Sequence, residues 1–287
     1  MRTSFDELGL IIVSLIFGLA YPFQNIGAQY IDAFSFNAVK NIIAMIAILP
    51  FCFSKRKTNR KDEIVNGLII AILLTAFSYI QQIVALESSS GKIGFITSMY
   101  IVEVPVIKYL LFKDKINLQT IISLVFAVTG LVFLCDLSNF TFNVSDLLTI
   151  LSSLLLALQI IFIEKKCNNC DPFRLNFFSF VFITIFSIIG AMLLHEPFNP
   201  QGYIKGIVPL LYVGIGCATI GCTLQTYCQK TLDATTASLI LSLESVFSVL
   251  GGYFILNETL SKKELLGCVL MFIGVILCVT AQKRTKK

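Results

Sequence analysis

Apolar residues run without a formal charge over 8–31, 64–86, 116–135, 147–163, 175–194, 206–229 and 265–282. Each run suits the roughly 20 residues, within about 17–25, that a helix needs to cross ~30 Å of hydrocarbon. Three further stretches reach that length with charges inside them: about 33–53 with Lys40, about 93–112 with Glu103 and Lys108, and about 234–257 with Glu244. The pattern predicts an all-α integral membrane protein of ten transmembrane helices joined by short links. Asp6 and Glu7 precede the first run where a secretory leader would carry basic residues. That run is therefore expected to be a retained first span.

Composition sharpens the picture. The chain is 56% hydrophobic and 14% charged, against about 45–50% and about 25% in soluble domains. A water-facing exterior cannot hide that much apolar surface, so soluble enzymes of the dehydrogenase or hydrolase kind are excluded. Sixteen of the 22 Lys and Arg fall at the two termini and in every second link, and four fall in the opposite links. Positive residues are retained on the cytoplasmic side, so both termini are expected inside, with the chain in the cell membrane. The net charge of +5 then calls for no nucleic-acid partner, and the basic run at 55–61 reads as a topology determinant. Cys167 and Cys170 form one CxxC. Without a second ligand pair it predicts two reduced thiols and no metal site.

Comparing the chain with itself at an offset of 144 residues pairs Ser98 with Ser242, Val102 with Val246, Tyr109 with Tyr253, Val125 with Val269, Gly130 with Gly274 and Asp114 with Glu258. The offset lays span 4 on span 9 and span 5 on span 10. Two repeats of five follow, with halves at 1–138 and 139–287. Because five is odd, the second repeat is inverted in the membrane. Inverted repeats around a midplane site are the build of many secondary transporters.

Charge at the centre of a bilayer costs at least about 2.5–3.5 kcal/mol on insertion scales, so it faces a cavity or a partner. Glu103 and Glu244 lie at the middle of spans 4 and 9, and Tyr100 is the offset partner of Glu244. Both carboxyls are candidate substrate-binding groups, able to carry a proton or to face a cationic part of a solute. Tyr79, Gln82 and Gln225 are lesser candidates for the same space. Lys40 is a candidate ionic partner, whereas Lys108, near a span end, is expected to snorkel to the surface. Polar groups within spans also serve as interhelical glue at ~0.6 kcal/mol each. A non-transporting scaffold or accessory subunit is therefore the alternative function. Pro22 and Pro105 are expected to bend spans 1 and 4. The sequence contains neither a GxxxxGK[ST] cradle, HExxH nor GxSxG, so no catalytic group, cofactor or metal is assigned and no enzyme is expected.

Several segments together resemble the EamA-type family of the drug/metabolite transporter superfamily. They are LIFGLAYPF in span 1, SFNAVKN in span 2, GKIGFITSMYIVEVPV from Gly91 to Val106, LQTYCQKTLDATTASL from Leu224 to Leu239, and ASLILSLESVFSVLGGYFILNETLS from Ala237 to Ser261. The resemblance runs in order over nearly the whole chain. It implies ten helices in two inverted five-helix repeats, cytoplasmic termini, and translocation, commonly export, of a small metabolite, amino acid or drug-like solute by alternating access. Phe17 stands where the family commonly has Trp, Lys40 where it often has Arg, and Ser245 where the second repeat often has Pro. The last departure implies a straighter span 9.

Overall fold

The computed structural model describes residues 2–53, 58–84, 86–87, 90–114, 116–134, 143–256 and 259–285. Among them every regular element is helical, as hydrocarbon demands of a backbone that must satisfy its own hydrogen bonds. Among the described residues nine helices are long and apolar enough to span a bilayer: Phe5–Ala28, Ala33–Cys52, Arg60–Val84, Lys92–Phe112, Val144–Lys166, Pro172–Leu193, Ile207–Cys228, Ala234–Ile255 and Lys262–Thr280. The expected tenth, over 116–135, is the apolar but shorter helix Leu118–Leu134.

Several spans are interrupted, and fifteen α-helices result. The first span divides at Leu19 into α1 (Arg2–Gly18) and α2 (Ala20–Ala28). Pro22 explains the position, since its missing N–H is the one that would bond the Gly18 carbonyl. Next come α3 (Ala33–Cys52) and α4 (Arg60–Val84). The fourth span breaks into α5 (Ser90–Thr97) and α6 (Tyr100–Phe112). Pro105 is not at this break but inside α6. After α7 (Leu118–Leu134), α8 (Val144–Lys166) and α9 (Pro172–Leu193) come the short α10 (Pro200–Lys205) and α11 (Ile207–Leu211). A π-helical segment, Tyr212–Cys222, then leads into α12 (Thr223–Cys228). The ninth span breaks into α13 (Ala234–Leu241) and α14 (Glu244–Leu256), and α15 (Lys262–Thr285) closes the chain.

Span 9 is therefore not the straight helix expected from the absence of proline at 245. Two serines bond back to the helix at this break. Ser238 Oγ donates to the Thr235 carbonyl at 2.9 Å and Ser242 Oγ to the Leu239 carbonyl at 2.8 Å. The same bonds at Ser152 and Ser153 leave α8 unbroken, so they accompany the break rather than account for it. The breaks in spans 4 and 9 also coincide under the sequence offset of 144: Thr97 and Leu241 end their helices, and Tyr100 and Glu244 begin the next.

Capping residues fix where helices begin. Asn143 and Asp146 form a reciprocal capping box at the start of α8. Asp171 accepts from the Phe173 and Arg174 amides at the start of α9, with Pro172 in the first turn. Asp233 does the same for α13 through the Thr235 and Thr236 amides. Each cap satisfies amides that the helix itself leaves unbonded.

Packing places α1 at the centre, against α12, α13, α14 and the π segment. It is admitted there by Gly18, whose α-carbon lies so close to the Glu244 carbonyl that a Cβ would stand 2.5 Å from it. The α7–α15 pair is equally tight. A Cβ on Gly130 would meet the Gly267 carbonyl at 2.7 Å, and one on Gly274 would meet the Ser123 carbonyl at 2.8 Å. Outward positions such as Leu110, Val125, Phe254 and Ile276 are apolar and exposed, the surface a lipid-facing bundle presents.

Candidate functional site

The interruptions position the site. Where α13 gives way to α14, Glu244 begins a new helix deep in the bundle, 3% exposed. It faces a cavity of about 110 Å³ enclosed by α1, α2, α3, α4, α8, α9, α12 and the π segment. Tyr21 and Tyr100 turn their hydroxyls toward its carboxyl. They stop short of satisfying it: Glu244 Oε1 and the Tyr100 hydroxyl have no hydrogen-bond partner among the described residues. A buried carboxyl oxygen without a donor is costly unless something else occupies that position.

Lys40 lies on another wall of the cavity, 8% exposed. Its Nζ donates to Ser78 Oγ at 3.3 Å and stands 5.9 Å from the centre of the Phe36 ring. Lys40 and Glu244 form no ion pair. The cavity wall thus carries one acid and one base that form no ion pair, set among mostly apolar side chains. Gln225 lines a third side, its Nε2 donating to Gln159 Oε1 at 3.4 Å and Gln229 Oε1 at 3.3 Å.

Of the residues singled out in the sequence, Glu244, Lys40 and Gln225 come together here, with Tyr100 behind Glu244. Glu103 does not join them. Its Oε1 accepts from Ser153 Oγ on α8 at 2.7 Å, and it is absent from the cavity wall. Tyr79 and Gln82 line a separate cavity nearer the helix ends.

Tyr21 was not anticipated, although it shares a helical stripe with Phe17 and Gln24, which also face the cavity. The π segment was missed as well. Thr219 Oγ1 donates to the Gly214 carbonyl at 3.0 Å, five residues back. Cys217, Ala218 and Cys222 of this segment form cavity wall. Long π runs are rare and cluster at functional positions.

At the end of the bundle holding the termini, Lys108 is buried and paired rather than snorkelling. Its Nζ meets Glu164 Oε2 at 3.0 Å, Asp114 at 3.6 Å and Asp233 at 3.9 Å. Glu164 also accepts from the Ala234 amide at 3.1 Å, tying α8 to the start of α13. Hydrogen bonding to Lys165 is the main cause holding the Asp114 carboxyl below its ordinary range. In the nearby α8–α9 link Cys167 and Cys170 are buried free thiols. A hydrogen bond from Cys167 draws the Cys170 thiol down to about 7 and pushes its partner up. No group of three or more His, Cys, Asp or Glu among the described residues is disposed to hold a metal ion.

An all-helical body with many spans, opened internally by broken helices around a cavity whose wall carries one acid and one base, is that of a multi-pass membrane transport protein. The EamA-like transporter family matches twice, over residues 5–135 and 143–280, and the chain belongs to it. It is similar to an uncharacterized transporter of Archaeoglobus fulgidus, 29% identical over 96% of this chain and 86% of the relative. It is also similar to the uncharacterized transporter YcxC of Bacillus subtilis, 25% identical over 98% and 95%. A solved crystal structure matches with a TM-score of 0.77 at 12% identity, covering 99% of each chain, a likeness of fold.

Proposed function

We propose that the protein is a secondary transporter that exports a small metabolite, amino acid or drug-like solute through the central cavity by alternating access, with Glu244 as its coupling carboxyl. The observation that carries this reading is the placement of Glu244: among the described residues it is the one acid in the wall of the central cavity, with Tyr21 and Tyr100 directed at its carboxyl. Such a group binds and releases a proton, or a cationic part of the solute, as the cavity changes sides.

Ten helices as two inverted repeats, 1–138 and 139–287, give the moving parts. The coincidence of the two helix breaks under the 144-residue offset supports that division, as does the double family match. Both termini are cytoplasmic on the basic-residue count, and the chain sits in the cell membrane. In this reading the broken spans rock against each other at their paired breaks.

The test is solute flux into proteoliposomes loaded with the full chain, using labelled amino-acid and metabolite mixtures with and without an imposed pH gradient. Flux that rises with the gradient and disappears in Glu244→Gln is the expected result. Unchanged flux in that variant removes Glu244 from the mechanism, and flux that ignores the gradient removes the proton.

A further inference from the structure

Two lysines are buried among the described residues, Lys40 and Lys108, and the fold treats them differently. Lys108 has Glu164 at 3.0 Å. Lys40 has no carboxylate within ion-pair distance among the described residues. Its ammonium carries three donors, and one of them is used, on Ser78 Oγ at a long 3.3 Å. The ionisable groups that act on it are the thiols of Cys217 and Cys222 in the π segment, which are weak acceptors. An ammonium taken out of water without an anion is expensive. Lys40 nevertheless stands in the wall of the central cavity, where it is the one Lys or Arg among the described residues.

The surface beside Lys40 is apolar. Leu74, Phe180, Ile183 and Ala218 line the same cavity. They pack in one cluster with Ala44, which lies one helical turn after Lys40 on α3. Glu244 belongs to a different wall. It is absent from the groups that act on Lys40, and its carboxyl is already addressed by the Tyr21 and Tyr100 hydroxyls. A solute ammonium would have to displace those hydroxyls, whereas a solute carboxylate meets donors on Lys40 that are unused. A dianion would bring a second charge that no other Lys or Arg of this wall can meet.

We propose that the central cavity takes small organic monocarboxylates with an apolar body and no ammonium group. The carboxylate accepts from Lys40, and the body lies on Leu74, Phe180 and Ile183. Charge-assisted bonds occupy the lysine donors that the protein leaves open, and burial of the apolar body adds affinity in proportion to its area. Ser78 keeps the ammonium in place when the cavity is empty. The ion pair exists only while solute is bound, so solute and Lys40 together add no net charge to the loaded cavity. This assignment rests on the transport reading and deepens it: it names the solute class and leaves Glu244 the proton.

The test is titration calorimetry on the purified full chain in mild detergent, with four probes: 4-methylpentanoate, its neutral amide, acetate and leucine. Leucine is 4-methylpentanoate with an ammonium added. The wild-type chain is expected to bind 4-methylpentanoate at least about tenfold more tightly than each of the other three. Lys40→Met should bring the carboxylate down to the level of the amide and leave the amide unchanged, which also shows that the cavity is intact. Lys40→Arg should keep most of the carboxylate affinity, and the thermal midpoint of each variant checks its fold. Should Lys40→Met fail to fold, the ratios among the four probes on the wild-type chain decide. The proposal is overturned if the wild-type chain does not bind 4-methylpentanoate, if the amide, acetate or leucine binds as tightly, or if folded Lys40→Met keeps the carboxylate affinity. Carboxylate binding without flux of any solute would sink the transport reading alone. Glu244-dependent flux of other solutes, by a chain that binds no carboxylate, would sink the solute assignment alone.

Discussion

Ser245, one residue into α14, donates its hydroxyl to the Gly94 carbonyl of α5 at 3.0 Å. Its oxygen also meets the Ser98 hydroxyl at the break between α5 and α6. The interruption in one span is thereby fastened to the interruption in the other, and Glu244, the neighbour of Ser245, is carried at the joint. Ser245→Ala removes the link. Loss of a buried hydrogen bond of this kind is expected to cost about 1 kcal/mol, read as a lower thermal midpoint in mild detergent. An unchanged midpoint would mean that the joint is not held by this bond.

Glu103 and Glu244 should separate functionally. Glu244 faces the cavity, whereas Glu103 is bonded to Ser153 away from it. Glu244→Gln is expected to abolish flux, and Glu103→Gln to retain most of it, with both proteins inserted in the membrane at normal levels. Equal loss in the two variants would contradict the distinction drawn from the cavity wall.

Lys108 and Glu164 should behave as a buried pair. Lys108→Met leaves Glu164 with its backbone donor and with Lys165 at 3.8 Å, but without its 3.0 Å cation. A fully buried pair broken on one side costs about 3–5 kcal/mol, and Glu164 retains some exposure, so a loss of about 2 kcal/mol is expected. Chemical unfolding with the Lys108→Met/Glu164→Leu double variant completes the cycle. That double variant should recover part of the loss.

The α7–α15 contact leaves no room for a side chain at Gly130, where a Cβ would lie 2.6 Å from Met271 Cγ and 2.7 Å from the Gly267 carbonyl. Gly130→Ala should destabilise by about 1–3 kcal/mol, the usual range for overpacking. Gly216→Ala is the control, because its Cβ would meet nothing closer than 3.8 Å. A thermal midpoint that falls for the first variant and holds for the second is the expected pattern.

Asp32 provides the pH dependence. Desolvation, and then the charge of Glu196, hold its carboxyl above the ordinary range. The stability effect has the opposite sense from a salt-bridged acid. Ionising Asp32 is harder in the folded chain than in the unfolded one, so Asp32→Asn should leave stability unchanged at low pH and raise it at neutral pH. Thermal midpoints of both proteins at the two pH values check this, and a lower midpoint for the variant at neutral pH would reverse the assignment.

Hydropathy carries most of the fold in this chain, because a helix that must lie in hydrocarbon announces its length. The same pattern exposes Lys40 and Glu244, since charges stand out against apolar runs. It is silent on what divides the spans. The breaks at Ser98 and Ser242 carry no proline, and the π segment keeps its apolar composition while changing its hydrogen-bond step. The sequence therefore places Glu103 and Glu244 at one depth, whereas the folded chain turns them to different neighbours. Tyr79 and Gln82 were legible as polar residues within a span. Their separation from Glu244 into a second cavity depends on which helix covers them, and no local periodicity encodes that. Lys108 was misjudged because its principal partner, Glu164, lies 56 residues away in a different span.

The cluster around Lys108 distributes mutational risk unevenly. One ammonium is shared by Glu164, Asp114 and Asp233, so losing either aspartate still leaves the lysine an anion at hand. Losing the lysine takes the nearest cation from Glu164, leaving it Lys165 at 3.8 Å, while the same Lys165 covers Asp114 at 3.1 Å. Among related chains, drift is therefore expected to accumulate at 114 and 233 long before it reaches 108. A change at 108 should arrive together with a neutral residue at 164.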